Sequence, residues 1–182
     1  MLFGGRGSAT LAAYRIVKQG LAAQRTPTSP IEQVGQRSAK GVEGSMTMQL
    51  TTAFSFDANL SVLDARFDDF ISGGASYTGN TPANTPETSA NLSVYWTPTE
   101  RIRVNANLRY VARTWSDNAN LYRIPGYAVI DSGISVRLSN GISVTGRVYN
   151  VLDKDYATTS YNDEQWLLGR PRSFELSLGL RF

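Results

Sequence analysis

The chain has 182 residues, a formal charge of +3, and neither cysteine nor histidine. Disulfide scaffolds, thiolate and imidazole metal sites and the commonest general base are therefore unavailable, which disfavours an enzyme and leaves only carboxylate pairs for acid–base chemistry. No run approaches the ~18 apolar residues of a membrane helix, and lysines and arginines are dispersed instead of forming a block, which argues against nucleic acid as a partner.

The first seven residues, M-L-F-G-G-R-G, lack a charged segment followed by an apolar run of ~7–15 residues, so they do not read as an export signal. Residues 7–18 form a first strand of irregular pattern, with Leu11 and Ala13 on one face and Tyr14 and Ile16 on the other, and its register stays open. Strands follow at 42–50, with Val42, Met46, Met48 and Leu50 outward, and at 54–67, with Phe54, Phe56, Ala58, Leu60 and Val62 outward. Alternation continues at 89–96 through Ala90, Leu92, Val94 and Trp96. It is clearest at 101–113, where Ile102, Val104, Ala106, Leu108, Tyr110 and Ala112 oppose Arg101, Arg103, Asn105, Asn107, Arg109 and Arg113. Strict period-2 alternation places one apolar and one polar wall on each strand. Thirteen residues at ~3.3 Å each reach roughly 40 Å, far beyond the usual soluble strand and enough to cross a bilayer at a tilt. Strands at 127–138 and 142–151 meet at Ser139-Asn140-Gly141, where Asn-Gly is a strong hairpin signal. The last strand, 174–182, alternates Phe174, Leu176, Leu178, Leu180 and Phe182 with polar residues and glycine.

The connections sort by length. Short turns at 51–53, 97–100 and 139–141 alternate with long polar loops at 19–33, 68–87, 114–126 and 153–169, the pattern of tight periplasmic turns and long extracellular loops in outer-membrane barrels. Aromatic girdles are expected at both interfaces: Phe54, Phe56, Trp96 and Phe182 by the short turns, and Phe67, Tyr110 and Trp115 by the long loops. The fold class is therefore all-β: about eight consecutive up-and-down strands of an antiparallel transmembrane β-barrel, with outer-membrane lipid solvating the apolar wall.

The segment R-V-Y-N-V-L-D-K-D-Y-A at 147–157, then G-R-P-R-S-F at 169–174 and the closing alternation, resembles the C-terminal signature of TonB-dependent outer-membrane receptors. Upstream, A-T-L-A-A-Y-R-I-V-K-Q at 9–19 and V-G-Q-R-S-A-K-G-V-E at 34–43 are similar to the barrel of the ferric-siderophore branch. The resemblance implies a 22-stranded barrel around an N-terminal plug, with a TonB-contacting box before it. On that basis residues 1–182 are the C-terminal portion of the barrel, an open curved sheet with the plug absent, and not transport-competent alone. One physical argument supports a wide barrel. The inward set includes Arg101, Arg103, Arg109, Arg113, Arg137, Arg147, Glu175 and Arg181, and so many like charges in the narrow, packed lumen of an eight-stranded barrel would be costly. A wide hydrated wall can carry them against an acidic plug or water. The alternative is a self-contained small outer-membrane barrel with a structural or adhesin role.

No catalytic constellation, cofactor site or metal site emerges. The carboxylate pairs Asp68-Asp69 and Asp163-Glu164 lie in polar loops and read as solvated charges, and Asp153-Lys154-Asp155 reads as ordering a loop start. The resemblance implies a ferric siderophore held by aromatic and arginine side chains at the extracellular mouth, with Tyr77, Arg113, Trp115, Tyr122, Tyr161 and Trp166 as candidates. It also implies a TonB complex engaged through the missing N-terminal part. Phe174, Leu176, Leu178, Leu180 and Phe182 resemble the signal that outer-membrane assembly machinery reads by strand addition at a free edge.

Overall fold

In the computed structural model, which describes residues 2–24, 26–161 and 165–181, a short 3-10 turn at Leu2–Gly5 leads into a single eight-stranded sheet. The strands are β1 (Gly7–Ala23), β2 (Glu32–Gln49), β3 (Phe54–Asp69), β4 (Thr88–Thr99), β5 (Ile102–Val111), β6 (Tyr127–Arg137), β7 (Ile142–Tyr149) and β8 (Ser173–Leu180). Each pairs antiparallel with its neighbours in chain order, and β1 and β8 remain the two edges of an unclosed sheet.

The register makes one wall apolar. One continuous row runs Phe54, Trp96, Val104, Ile134, Gly146, Leu176, and the next runs Met48, Phe56, Val94, Ala106, Ser132, Val148, Phe174. The same pairing settles the first strand: Leu11 lies opposite Gly44 and Ala13 opposite Val42, so they share the apolar wall. Tyr14 is on the other face, its hydroxyl donating to Glu43 and its ring lying across Gly41, where any Cβ would collide with it. Even the outward Ser132 turns its hydroxyl back onto the carbonyl of Asn105, as a hydroxyl facing hydrocarbon must.

Soluble domains bury such a wall against a second layer. Here the sheet has none: Leu11, Leu60, Leu92, Ile134 and Leu176 are 80%, 49%, 38%, 47% and 80% exposed. The few buried apolar side chains, among them Phe67, Ile124, Val129 and Ala157, sit on the polar side or under the loops. On β3 the apolar positions from Phe54 to Val62 cover about 27 Å of strand, or about 20 Å of height at a ~40° tilt, close to the ~25 Å band of an outer-membrane barrel.

Three expectations need correction. β1 and β2 extend to Ala23 and from Glu32, so the first long loop is shorter than 19–33, because the two strands keep pairing past a bulge at Leu21. Leu50 falls outside β2 and is 47% exposed. Phe67 is not a girdle residue: it faces inward, is 4% exposed, and stacks on Phe70 at 4.5 Å. Trp115 likewise belongs to a loop ribbon. Tyr110, Trp96 and Phe54 do lie on the apolar wall, and Phe182 is outside the described residues.

Candidate functional site: the long-loop mouth and the inner wall

The three longer loops are partly folded. Ile71–Ser72 pairs with Ala75–Ser76, Thr114–Trp115 with Arg123–Ile124, and Ala157–Ser160 with Trp166–Leu168. Side-chain amides lace them together: Asn80 Nδ2 donates to the Asn118 carbonyl (2.9 Å), Asn120 is bonded both ways to Thr81, and Thr159 donates to Asn84 (2.9 Å). Asparagine suits this, carrying two donors and an acceptor and tolerating the positive φ seen at Asn84 (55°) and Asn120 (59°).

The six expected mouth residues divide among these loops. Tyr77 closes an aromatic stack on Phe70 (6.0 Å). The Trp115 ring lies under the Arg123 guanidinium at 4.9 Å. Tyr122 is held by Asp117, which accepts from its backbone N–H (3.0 Å) and from that of Leu121. Tyr161 is 79% exposed and, with Trp166 at 39%, sits on the third ribbon. Arg113 follows β5 and opens into a recess of about 580 Å³ with Tyr110, Tyr127 and Lys154. The structure thus gathers these residues at one end of the sheet, on loops tied to one another, without joining Tyr77, Trp115, Tyr122 and Tyr161 ring to ring.

A second group, absent from the sequence reading, lies lower on the inner wall. The Tyr127 and Tyr156 rings lie 4.5 Å apart, tilted by 38°, and Arg109 reaches both, 5.8 Å above the Tyr127 ring and donating to the Tyr156 hydroxyl at 3.3 Å. Gly169 is what lets Tyr156 lie there, since a Cβ would run into its ring. Arg170 packs over Tyr149 at 3.6 Å, and Tyr149 donates to Glu175, which also pairs with Arg147. The inward parity of 109, 127 and 149 was the available signal, and Tyr156 could be found only through the loop that folds inward.

That loop is anchored by Asn150, 2% exposed and in the left-handed region at φ 49°. Its Nδ2 donates to the carbonyls of Lys154 (2.9 Å) and Arg170 (3.0 Å), its Oδ1 accepts from Lys154 N–H (2.9 Å), and its own N–H donates to Asp131 (2.8 Å). Asp153 holds Arg172 by a 3.0 Å ion pair. Asp153 thus links the start of this loop to its end at Arg172. Of the carboxylate pairs, Asp68 is engaged by Ser38 (2.7 Å) and Gln36, while Asp163-Glu164 lies outside the described residues. Among the described residues no acidic cluster is arranged for a metal.

Comparison with known proteins agrees with this architecture. The Ferrioxamine receptor of Yersinia enterocolitica is 28% identical over 177 residues, 94% of this chain and 24% of that protein. The Ferrichrome outer membrane transporter/phage receptor of Escherichia coli K12 is 25% identical over 156 residues, 81% of this chain and 20% of that protein. The chain thus spans about a quarter of the length of the curated relatives it matches. Among solved structures, the siderophore receptor PiuA of Acinetobacter baumannii superposes with a TM-score of 0.88 at 21% identity, over 98% of this chain and 26% of that one. The ferric yersiniabactin uptake receptor FyuA of Yersinia pestis gives 0.84 at 21%, over 98% and 28%. Over the matched residues these solved structures share the fold of this chain. Residues 2–151 match the model of the TonB dependent receptor-like β-barrel family, and the chain belongs to that outer-membrane family.

Proposed function

We propose that this chain is the C-terminal part of the barrel wall of an outer-membrane receptor that takes up a ferric siderophore or similar iron chelate with energy delivered through TonB. The observation that carries the reading is the one-layer sheet whose outward side chains are apolar and whose inward ones are polar, a wall that needs lipid on one side and water on the other. Relatives named for ferrioxamine and ferrichrome supply the substrate class. Ligand contact is assigned to Tyr77, Arg113, Trp115, Tyr122, Tyr161 and Trp166 at the long-loop end, where aromatic faces and guanidinium groups suit an anionic chelate by cation–π and charge complementarity.

Two partners follow from the same reading. Lipid covers the outward rows. The assembly machinery pairs with the free edge of β8, where Phe174, Leu176, Leu178 and Leu180 are 74%, 80%, 65% and 55% exposed. The unpaired edges weigh against a self-contained small barrel.

The test is uptake of radioiron by iron-starved cells carrying the full-length gene or a deletion of it, supplied with ferrioxamine B and with a ferric catecholate. Uptake of at least one chelate that depends on both the gene and TonB is expected. No gene-dependent uptake of either, or uptake unchanged without TonB, would sink the proposal.

A further inference from the structure

The sheet sorts its cations by face. Nine lysines and arginines lie within the eight strands, and six of them, Lys18, Arg37, Arg103, Arg109, Arg137 and Arg147, point to the polar side. The other three, Arg15, Lys40 and Arg66, stand on the outer wall among the apolar rows. They are not scattered over that wall. Arg15 lies directly opposite Lys40, Lys40 directly opposite Asp64, and Arg66 one outward step above Asp64, so all three occupy two rows of the adjacent strands β1, β2 and β3. Immediately below them runs the apolar row of Ala13, Val42 and Val62, and no strand lysine or arginine faces outward anywhere nearer the short turns.

Height and direction decide what these cations meet. Lys40 lies two residues beyond Val42 and Arg66 four beyond Val62, or ~5 Å and ~10 Å above the apolar band at a ~40° tilt. Long side chains rooted there carry their charge into the headgroup layer, where the penalty that hydrocarbon imposes on a charge has faded. They point away from the lumen, so nothing that fills the barrel interior reaches them. Arg15 and Lys40 are like charges directly opposite each other, an arrangement that repels unless an anion lies between them. On the other side, Asp64 takes Lys40 Nζ at 3.3 Å and Arg66 Nε at 3.1 Å, and the Arg66 Nη fork meets no other acceptor among the described residues. The side chains of Lys40 and Arg66 are 72% and 65% exposed. Asp68, the other carboxylate here, is engaged by Ser38 and Gln36. Three cations thus share two carboxylates, beside the exposed Val17, Val42 and Val62. A ligand docked on this wall meets apolar surface below and surplus positive charge above.

We infer that Arg15, Lys40 and Arg66 form a binding site for one anionic lipid with a phosphate-bearing headgroup, in the leaflet on the long-loop side. Its phosphate oxygens lie among the three cations, where guanidinium and ammonium donors make charge-assisted hydrogen bonds, and its acyl chains lie on the apolar rows beneath. That two-part lining selects a lipid over free phosphate. The site rests on the proposal that lipid covers the outward rows and is independent of the lumen and of the chelate that enters at the mouth.

The experiment is native mass spectrometry of the full-length protein in neutral detergent, titrated with diphosphoryl lipid A, monophosphoryl lipid A and phosphatidylcholine. Wild type is compared with R15Q/K40Q and with K18Q/R37Q, which removes an equally opposed pair of cations from the inner face of the same two strands. Heat-modifiable migration on gels confirms that each variant is folded. Wild type is expected to bind one diphosphoryl lipid A in preference to the other two lipids, R15Q/K40Q to bind it roughly tenfold or more weakly, and K18Q/R37Q to match wild type. Excess inorganic phosphate should leave the complex intact. Displacement by phosphate, no preference for phosphorylated lipid in the wild type, equal binding by R15Q/K40Q, or an equal loss in K18Q/R37Q overturns the inference. Phosphatidylcholine retained alike by all three proteins would show that the wall still faces lipid even where the headgroup site fails, and radioiron uptake reads the transport function separately.

Discussion

Asn150 shows how much one side chain can hold. It lies at the junction of β7 and the last long loop, where the chain reverses through left-handed residues at Asn150 (49°) and Asp153 (53°). Its amide spans the loop's start at Lys154 and its end at Arg170. Asn150→Ala removes three hydrogen bonds from a site 2% exposed and leaves their partners to find water. At ~1 kcal/mol each net, and more for a group left buried, the loss is about 2–4 kcal/mol. Asn150→Asp keeps the left-handed preference but turns two donors into acceptors aimed at carbonyls, so it should cost at least as much. The measurement is limited proteolysis of the full-length protein in micelles, with cleavage within 153–169 accelerated in both variants. Unchanged cleavage kinetics would show that the loop is held from elsewhere. Gly169→Ala, which forces Tyr156 off Tyr127, is expected to loosen the same loop.

At the scale of the strand, the decisive property is which way a side chain points. Leu92 lies midway along the apolar run of β4 and faces outward, and Ser93 beside it faces inward, opposite Asp57 and Asn107. Leu92→Lys places an ammonium in hydrocarbon and should cost ~2–4 kcal/mol at mid-depth. Ser93→Lys gains a carboxylate neighbour and should change stability by less than ~1 kcal/mol. Urea titrations of the full-length protein refolded into phosphatidylcholine vesicles would read the difference; equal costs at the two positions would refute the assignment of faces, and a larger cost at Ser93 would reverse it. On the proposal that assembly machinery pairs with the free edge of β8, replacing Leu178 and Leu180 together by Ser should lower the amount of protein inserted in cells without affecting synthesis. These strands were legible in the sequence because period-2 alternation persists for eight residues or more, and Arg101 to Arg113 left no competing reading. β1 was not: over residues 7–18 its register is regular, but Tyr14 and Ile16 put large side chains on the inward face while Arg15 falls on the outward one, so apolar residues mark both walls and only pairing with β2 reveals the faces. The mouth was legible as a place but not as contacts, because loop asparagines bond by spacing in three dimensions that no linear pattern records. The Arg109–Tyr127–Tyr156 group was missed for the same reason, since its third member arrives from a loop that folds back inside.

At the scale of the molecule, stability is a matter of closure. A water-soluble domain of this length would hide its leucines between layers; this sheet has one layer and two free edges. In a bilayer each backbone group on those edges would lack a partner, at several kcal/mol apiece, which is why membrane sheets close into barrels. Neither edge is protected by proline or a covering helix, and β1 offers 17 residues of unpaired backbone on its outer side. In water the same edges, beside an exposed apolar wall, are templates for strand addition between copies. The isolated 182-residue chain refolded from urea is therefore expected to form β-rich aggregates, and in detergent or vesicles to give no heat-modifiable band, whereas the same residues within the longer receptor proposed above are expected to give one. Gel migration with and without boiling, together with light scattering, distinguishes the two outcomes. A discrete heat-modifiable monomer from the isolated chain would mean that β1 and β8 can meet, closing eight strands into a narrow barrel whose packed lumen holds the inward arginines after all.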